Sequence, residues 1–446
     1  MHASYLMHPP RESFIPFSMV FDSYSIIEGC WSNSGKWFRN FFMSLFSKWV
    51  PYIFHTRTLR VGKTAIPHRS SAFMKMSEKN RVLLLIRNIW HVLHIIACRY
   101  TGCPPRYLPV ILMFLTSRCN LRCKMCGVCD LHHEERNDAE LSTEEWKSII
   151  RSAASRLGTT LAVISGGEAL LREDVFELIR YATESGMSIH LCTNALLLTE
   201  EKMIQLRDSG VSTVSFSLDG PDAATHEYLR GKDTFPISLN ALKRFHEIAP
   251  KVLTGINYVI TRKNYKKMPA MLHFAEELGV NQIKFAPIHT NLLHRHKNID
   301  DYSDLIFMPA DLDDLEIEIN KLRSLCRKSR LITTSDAFFK GIKDLYVSPQ
   351  RIRCQAGYAI CAINPAGYVA PCSDMDSTFN TRERDLSEIW RDPKFHQLRR
   401  QVHECRSACW DTAYTELSLW LRPTSLLRGI LRNWRDVKFY FNRHNP

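Results

Sequence analysis

Three cysteines stand close together on one short segment, at Cys119, Cys123 and Cys126. Thiolates grouped in this way hold iron–sulfur clusters or zinc. A four-iron cluster has four iron sites, so three thiolates leave one iron open for another ligand, whereas an electron-transfer cluster takes four cysteines. Cys129 could instead supply a fourth thiolate and close a tetrahedral zinc site. The segment therefore predicts a metal centre, with a reactive cluster and a structural zinc ion as the two alternatives.

Polar motifs that could bind a small co-substrate follow the next β-rich runs of the chain. Two glycines precede Glu168; glycines let a backbone approach a ligand closely, and a carboxylate accepts hydrogen bonds from an ammonium group. Ser217 and Asp219 can bond ligand hydroxyl groups, and their alternative role is to cap the following helix. The candidate residues are Gly166, Gly167, Glu168, Asn194, Ser217, Asp219 and Arg230.

A second group of cysteines lies late in the chain, at Cys354, Cys361, Cys372, Cys405 and Cys409. Four thiolates suit either an iron–sulfur cluster or a zinc ion. Residues 363–372 are predicted to form a β-hairpin. Clustered cysteines behind an N-terminal segment without a clear signal peptide favour metal binding in a reducing, cytoplasmic compartment over disulfide bonds.

The elements that position these residues alternate between strand and helix. A capping box of Ser142 and Glu145 marks the start of the first helix. Repeated β/α units predict a parallel sheet, closed or partly closed, whose chemistry lies in loops at the carboxyl ends of the strands. The six predicted strands are Val110 to Leu115, Leu161 to Ile164, Ser188 to Cys192, Thr213 to Leu218, Gly255 to Ile260 and Gln282 to Phe285.

These motifs, in this order, resemble the radical S-adenosylmethionine (radical SAM) superfamily. The CxxxCxxC spacing directly after the first strand is similar to the superfamily's cluster loop, and Gly-Gly-Glu at residues 166–168 is similar to its second motif. Ser-Leu-Asp-Gly at residues 217–220 resembles a subgroup that includes peptide-modifying enzymes. The spacing between Cys354 and Cys372 resembles the auxiliary-cluster domains called SPASM and, in their shortened form, twitch. Residues 386–390 resemble the helix that follows in that group, so a helix is predicted there.

The resemblance implies an α/β fold: a partial (β/α)6 TIM-like barrel, a C-terminal cysteine-rich auxiliary-cluster domain of the SPASM/twitch type, and amphipathic helical flanks. The predicted divisions are a leader with an amphipathic helical region at 1–107, the barrel at 108–290, a charged and mostly helical connector at 291–350, the auxiliary domain at 351–412 and a basic amphipathic tail at 413–446.

The resemblance also implies cofactors and residue roles. One [4Fe–4S] cluster would be held by Cys119, Cys123 and Cys126 and would bind S-adenosylmethionine (SAM). A second, auxiliary [4Fe–4S] cluster would be held by Cys354, Cys372, Cys405 and Cys409, with Cys361 next in line. The segment 166–168 would bind the methionine amino group, Ser217 and Asp219 the ribose or the amino-acid part, and Arg230 a carboxylate. Asn194 lies in a motif similar to Thr-Asn-Gly, with Ala195 in place of glycine.

The flanking segments and the charge concern partners. The net charge of +13 suggests acidic partners. Residues 36–60, 82–97 and the C-terminal tail mix apolar or aromatic with basic side chains, which is typical of helices that lie on a membrane surface. Their alternative is to pack onto the globular core or a partner subunit. We therefore expect a cytoplasmic protein, peripheral on the inner face of the membrane, without a nucleic-acid partner.

The predicted function is that of a radical SAM enzyme. It would cleave SAM reductively to a 5′-deoxyadenosyl radical and abstract a hydrogen atom from a small-molecule substrate, with a lipid or isoprenoid favoured over a peptide. A reducing partner such as flavodoxin or ferredoxin would supply the electron. The alternative is a non-catalytic, zinc-binding, membrane-associated regulator that retains the fold.

Overall fold

A computed structural model describes residues 78–127, 139–291, 298–348, 352–405 and 409–422. The aromatic and basic segment at 36–60, Cys129 and most of the C-terminal tail lie outside these residues. The chain divides into two compact units, of which the first comprises residues 1–81 and 97–103 and the second the remainder. The second unit contains all the cysteines of the two predicted metal centres.

The first described element is helix α1 (Glu78–Thr101). Within the first unit, its last turn is closed by the Thr101 hydroxyl, which donates to the Ala97 carbonyl at 2.9 Å, and by the Gly102 amide, which donates to the Cys98 carbonyl at 2.8 Å. The apolar stretch at 82–97 lies within this helix. Among the described residues, no helix combines the length and the apolar character needed to cross a bilayer.

Among the described residues of the second unit, the strands form one nine-stranded sheet, in the order β7-β6-β5-β4-β3-β2-β1-β8-β9. All neighbouring pairs are parallel except the last, β8 with β9. Parallel strands covered on both faces are expected to be apolar throughout, and β1 fits this with the sequence VILMF. The strands are β1 (Val110–Phe114), β2 (Leu161–Ser165), β3 (Ser188–Thr193), β4 (Thr213–Ser217), β5 (Leu253–Ile260), β6 (Gln282–Pro287), β7 (Ile332–Thr333), β8 (Ile360–Ile363) and β9 (Val369–Ala370).

Helices connect the parallel strands and cover the sheet. The predicted capping box is present at the first of them, because the Ser142 hydroxyl accepts from the Glu145 amide while the Glu145 carboxylate accepts from the Ser142 amide at 2.7 Å. The helices are α2 (Thr143–Arg156), α3 (Val175–Glu184), α4 (Glu200–Asp208), α5 (Ala223–Arg230), α6 (Thr234–Ile248), α7 (Met268–Glu277), α8 (Leu312–Cys326), α9 (Asp336–Lys340), α10 (Ile342–Val347), α11 (Leu386–Arg391), α12 (Pro393–Glu404) and α13 (Tyr414–Trp420).

Six parallel strands, β1 to β6, follow one another in sequence order, so the predicted (β/α)6 arrangement of a partial TIM-like barrel is confirmed. Their main core lies between the sheet and its helices and contains Trp146, Phe216 and Phe285, each fully buried. The predicted hairpin is also present, as β8 and β9, and α11 occupies the predicted 386–390 helix.

Three strands extend this sheet beyond the six of the barrel, with β7 on one side and the hairpin strands β8 and β9 on the other. Strand β7 arises within the mostly helical connector and pairs with β6 through Gln282 and Ile332. Strand β8, from the cysteine-rich C-terminal region, pairs in parallel with β1 from Val110 opposite Ile360 onward. The sequence did not predict either pairing, because a two-residue strand carries no periodic signal and strand order is a non-local property.

Candidate active site

The first cysteine loop follows directly from the carboxyl end of β1. Cys123 is buried, and Cys119 and Cys126 are half-buried. The Cys126 amide donates to the Cys123 carbonyl at 3.2 Å, and the Lys124 amide donates to the Leu229 carbonyl at 2.9 Å, which ties the loop to α5. Burial raises the pKa of the Cys123 thiol to about 11, against the opposing effect of the Arg230 guanidinium, and the neighbouring thiols raise it further. The three thiols therefore lie close together, and a bound metal would favour their thiolate forms.

Two glycines at the end of β2 press against the start of this loop. A Cβ on Gly166 would lie 2.5 Å from the Thr116 carbonyl oxygen, and one on Gly167 would lie 2.1 Å from that of Arg118. The close approach is fixed by hydrogen bonds, since the Gly167 amide donates to Thr116 and the Glu168 amide to Arg118, both at 2.8 Å. Only glycine fits at either position, and the second motif is locked against the cysteine loop.

Glu168 projects from this segment into the interior at the carboxyl end of β3, where it is 2% exposed. Its Oε1 accepts from the Thr193 hydroxyl at 3.0 Å and the Leu170 amide at 3.2 Å, and its Oε2 accepts from the Asn194 amide at 2.8 Å. Burial raises the pKa of Glu168, while these three donors act in the opposite direction. Two carboxylate oxygens offer about four acceptor sites, so this carboxylate retains capacity for a further donor.

Asn194 links the end of β3 to the cysteine loop. Its Nδ2 donates to Asn120 Oδ1 at 2.9 Å and lies 4.0 Å from Cys119 Sγ. The next residue, Ala195, is buried and has φ 67°, the left-handed conformation that glycine adopts without cost. The chain therefore keeps the glycine-type turn with alanine, held by the Ala195 amide donating to the Thr193 hydroxyl at 2.9 Å.

Asp219 and Arg230 form a buried ion pair beside the cysteines. Asp219 is fully buried, and its Oδ1 accepts from the Val259 amide at 2.7 Å while its Oδ2 accepts from Arg230 Nε. Arg230 Nη1 lies 4.0 Å from Cys123 Sγ. Helix α5 is capped by Asp222, whose carboxylate accepts from the Thr225 amide at 2.8 Å, so neither Ser217 nor Asp219 is its cap. Ser217, half-buried, ends β4 opposite Asn257 of β5.

Two further residues brace the cysteine loop, and the sequence did not identify them as functional. Arg172 is buried and donates from Nη1 to the Leu115 carbonyl at 3.2 Å and to the Leu141 carbonyl at 3.0 Å. Glu140 accepts from the Thr116 hydroxyl at 2.6 Å and from the Ser117 amide at 3.1 Å. Both hold the backbone just before Cys119. Arg172 could have been found from its place four residues after Glu168, whereas Glu140 carries no local signal.

The late cysteines lie in three different environments. Cys354 and Cys372 lie near enough to Cys409 that their negative charges raise its pKa, and the charge of Cys354 likewise raises the pKa of Cys372, in addition to the larger effect of burial at Cys372 and Cys409. Cys361 instead lies in the main core on β8, where burial raises the pKa of its thiol to about 12. Cys405 is exposed and directly follows α12, and its role as a ligand stays a prediction.

Three residues that the sequence did not single out lie beside this second group, namely His289, Asp374 and Asp411. The ligand atoms of His289, Cys409 and Asp411 all fall within 4.8 Å of one another. His289 Nε2 lies 3.3 Å from Asp374 Oδ2. His289 follows β6 of the barrel, some 65 residues before Cys354 in the chain, so no spacing rule connects the two. The side chain could have been found only from the fold.

Models of two protein families match this chain. The radical SAM superfamily matches residues 113–275, and an iron–sulfur cluster-binding domain, SPASM, matches residues 354–411. The first match includes the Cys119 loop and the residues from Gly166 to Arg230, and the second includes Cys354, Cys372, Cys405 and Cys409. The predicted resemblance to the SPASM-containing radical SAM subgroup is therefore confirmed.

Curated relatives and solved structures agree with these matches. An AdoMet-dependent heme synthase of Methanosarcina barkeri is 28% identical over 320 residues, which are 68% of this chain and 88% of that protein. A PqqA peptide cyclase of Rhodopseudomonas palustris is 27% identical over 315 residues, covering 69% and 80%. The crystal structure of Streptococcus suis SuiB bound to precursor peptide SuiA aligns with a TM-score of 0.55 at 17% identity over 84% and 83% of the two chains, which shows a shared fold.

The two domains imply SAM and [4Fe–4S] clusters as cofactors. The residues present fit them: three thiols share one loop, three more lie together near the C-terminal end, and the glycines at 166 and 167 leave room that any Cβ would fill. The matched relatives are enzymes of the same chemistry. The chain therefore carries a radical SAM domain at residues 113–275 and a C-terminal SPASM domain at residues 354–411, and it is a radical SAM enzyme.

Proposed function

We propose that Cys119, Cys123 and Cys126 hold the SAM-binding cluster. The support is their common loop at the carboxyl end of β1, which is the edge of a parallel sheet where ligands bind. Gly166, Gly167 and Glu168 would receive the methionine amino group, since the Glu168 carboxylate keeps capacity for another donor beside that loop. When bound, the cluster and SAM supply a 5′-deoxyadenosyl radical, which removes a hydrogen atom from the substrate.

The remaining candidates orient and shield. Asn194 would hold the rim of the loop through Asn120, and Ser217 would offer its hydroxyl to the ribose or amino-acid part of SAM. Asp219 is occupied by Val259 and Arg230, so we assign it to positioning Arg230. The guanidinium then lies beside Cys123 and is available to a carboxylate. Burial of Cys123 and Glu168 keeps water from the reacting centre.

Formation of 5′-deoxyadenosine tests this assignment. The full chain would be reconstituted with iron and sulfide under anaerobic conditions, reduced, given SAM, and compared with the Cys119/Cys123/Cys126→Ala variant. We expect 5′-deoxyadenosine from the native chain and none above background from the variant. A colourless, zinc-loaded native protein without this product would refute the assignment and favour the zinc-binding regulator.

We propose that the substrate is a peptide with acidic side chains. The carrying observation is a group of exposed cations on the cysteine loop itself: Arg118, Arg122 and Lys124. Lys124 Nζ lies 3.8 Å from the centre of the exposed Tyr228 ring, which adds an aromatic surface for a peptide side chain. The relative that is a PqqA peptide cyclase and the SuiB fold with its bound precursor peptide support this class.

A second candidate substrate is a heme precursor. The AdoMet-dependent heme synthase matches this chain as well as the peptide cyclase does, and the cationic side chains would serve carboxylates of either substrate. The basic segments that favoured a lipid or isoprenoid substrate lie largely outside the described residues. The described residues therefore give little support for a lipid substrate or a membrane surface. A flavodoxin or ferredoxin remains the proposed electron donor.

Deuterium transfer distinguishes the two classes. The reduced enzyme would be given SAM together with either short peptides encoded beside its gene or an iron porphyrin that carries carboxylate side chains, each deuterated at its carbon-bound positions. We expect deuterium in 5′-deoxyadenosine and a change in peptide mass only with a peptide. Lys124→Glu should lower this turnover while leaving the substrate-free cleavage of SAM unchanged. Porphyrin turnover with inert peptides would overturn the peptide proposal.

A further inference from the structure

The SPASM region has three cysteines in one place and a histidine beside them. Cys354 and Cys372 line one small cluster of buried side chains together with Ile360 and Tyr414. Cys409 lies close enough to both cysteines to interact with them electrostatically. The ligand atoms of His289, Cys409 and Asp411 are all within 4.8 Å of one another. A four-iron cluster needs one ligand for each iron, so three thiolates leave one place for a fourth.

The His289 imidazole is arranged as metal-ligating histidines are. Its Nε2 lies 3.3 Å from Asp374 Oδ2, and Asn291 Nδ2 donates to the same oxygen at 3.3 Å. Its Nδ1 is buried and has no hydrogen-bond partner among the described residues. Metal-bound histidines commonly donate the N–H of one ring nitrogen to a carboxylate, which fixes the tautomer and leaves the lone pair of the other nitrogen for the metal. His289 has both features.

The competing ligands fit this place less well. Cys405 is exposed, whereas Cys354, Cys372 and Cys409 are half-buried. Cys361 belongs to the core on the other side of β8. Asp411 Oδ1 already accepts from the Ala413 amide at 2.8 Å and the Tyr414 amide at 2.6 Å, so this oxygen is held in the turn before α13.

Charge also favours a neutral ligand. Asp374 and Asp411 follow Cys372 and Cys409 by two residues each, and a carboxylate oxygen of Asp411 lies within 4.8 Å of Cys409 Sγ. A fourth thiolate would add negative charge to a buried place that already contains two carboxylates, and such charge is costly to bury. An imidazole adds none.

We propose that His289 is the fourth ligand of the auxiliary cluster, together with Cys354, Cys372 and Cys409, and that Cys405 is not a ligand. The cluster is then joined to the barrel by a ligand that follows β6. Replacing thiolate by imidazole raises the reduction potential of an iron–sulfur cluster, so this centre would accept electrons more readily than one held by four cysteines.

Pulsed electron paramagnetic resonance on the full chain tests this inference without relying on turnover. The Cys119/Cys123/Cys126→Ala variant isolates the auxiliary cluster, and growth with ¹⁵N-histidine labels the imidazoles. We expect a ¹⁵N hyperfine coupling in the reduced cluster and about four irons per chain. His289→Cys should keep the irons, lose the coupling and lower the reduction potential, while Cys405→Ala should leave all three unchanged.

The matched control is His403→Ala, which removes another imidazole of the SPASM region, one that shares a 3.0 Å hydrogen bond with Tyr358. This variant should retain about four irons per chain and should also retain the ¹⁵N hyperfine coupling. Coupling that persists in His289→Cys, or loss of about one iron in Cys405→Ala with none in His289→Ala, would overturn the proposal. Should the triple variant not fold, iron counts of His289→Ala and Cys405→Ala in the otherwise native chain give the same decision.

Discussion

The contact between Gly167 and the cysteine loop gives a quantitative prediction for Gly167→Ala. The added Cβ would lie 2.1 Å from the Arg118 carbonyl oxygen and 2.6 Å from its carbon, both backbone atoms that cannot rotate away. Cβ contacts below 3.0 Å are essentially never observed, so the two segments must separate by about 1 Å. A displacement of this size at a reacting centre costs roughly 10²-fold in rate, and overpacking costs about 1–3 kcal/mol in stability.

The assay is the initial rate of 5′-deoxyadenosine formation, measured at matched iron content. We expect a rate about 10²-fold below the native rate with the cluster retained. Gly279→Ala is the matched control, because Gly279 has φ +70° and no atom within 4 Å of its Cβ position; it should cost about 1 kcal/mol of stability and leave the rate intact. A native rate in Gly167→Ala would refute the reasoning.

Three further predictions concern buried ionisable residues. Glu168→Gln turns an amide group toward the Asn194 N–H and removes the negative charge, so SAM binding to the cluster-loaded enzyme should weaken roughly 10- to 100-fold in equilibrium titrations. Asp219→Asn leaves the Arg230 guanidinium without its buried counter-ion and should lower the free energy of unfolding by about 3–5 kcal/mol in denaturant titrations. Burial lowers the pKa of His190 from 6.5 to about 4. The unfolded chain therefore binds a proton that the folded chain does not, and stability should fall as pH drops from 6.5 toward 4, less steeply in His190→Gln by about 1.4 kcal/mol per pH unit.

Each of these has a clear contrary result. Unchanged SAM affinity in Glu168→Gln would remove that carboxylate from the binding site. A loss of under about 1 kcal/mol in Asp219→Asn would mean that the pair is solvent-screened. Equal slopes of stability against pH in His190→Gln and the native chain would contradict the low pKa of His190.

The barrel and the first cysteine loop could be predicted because their signals are local. Short β-rich runs and a capping box at Ser142 place the β/α units, and a parallel sheet brings every loop after a strand to one edge. Three cysteines after β1 and a glycine pair after β2 must therefore meet there. Their contact distances follow from having no side chain at positions 166 and 167, which is readable in the sequence itself.

The remaining features depend on the whole fold. His289 lies beside Cys409 because the fold brings the residues that follow β6 next to the SPASM region. Asp219 looks like a ligand-binding residue or a helix cap by position, yet its carboxylate is taken by Arg230 and Val259, a choice that tertiary packing makes. Ala195 retains the left-handed turn of a glycine because the surrounding hydrogen bonds over-determine it.

The pairing of β8 with β1 affects how the molecule can be taken apart. Residues Val110–Met113 hydrogen-bond along their whole length to Ile360–Ile363. A chain truncated before residue 352 would lose β8. Strand β1 would then be an unpaired, apolar edge strand of the barrel sheet, and such edges recruit other chains into aggregates. The SPASM region thus covers this edge of the barrel sheet by pairing β8 with β1. Its cluster should therefore be removed by cysteine substitution, since truncation would yield insoluble protein.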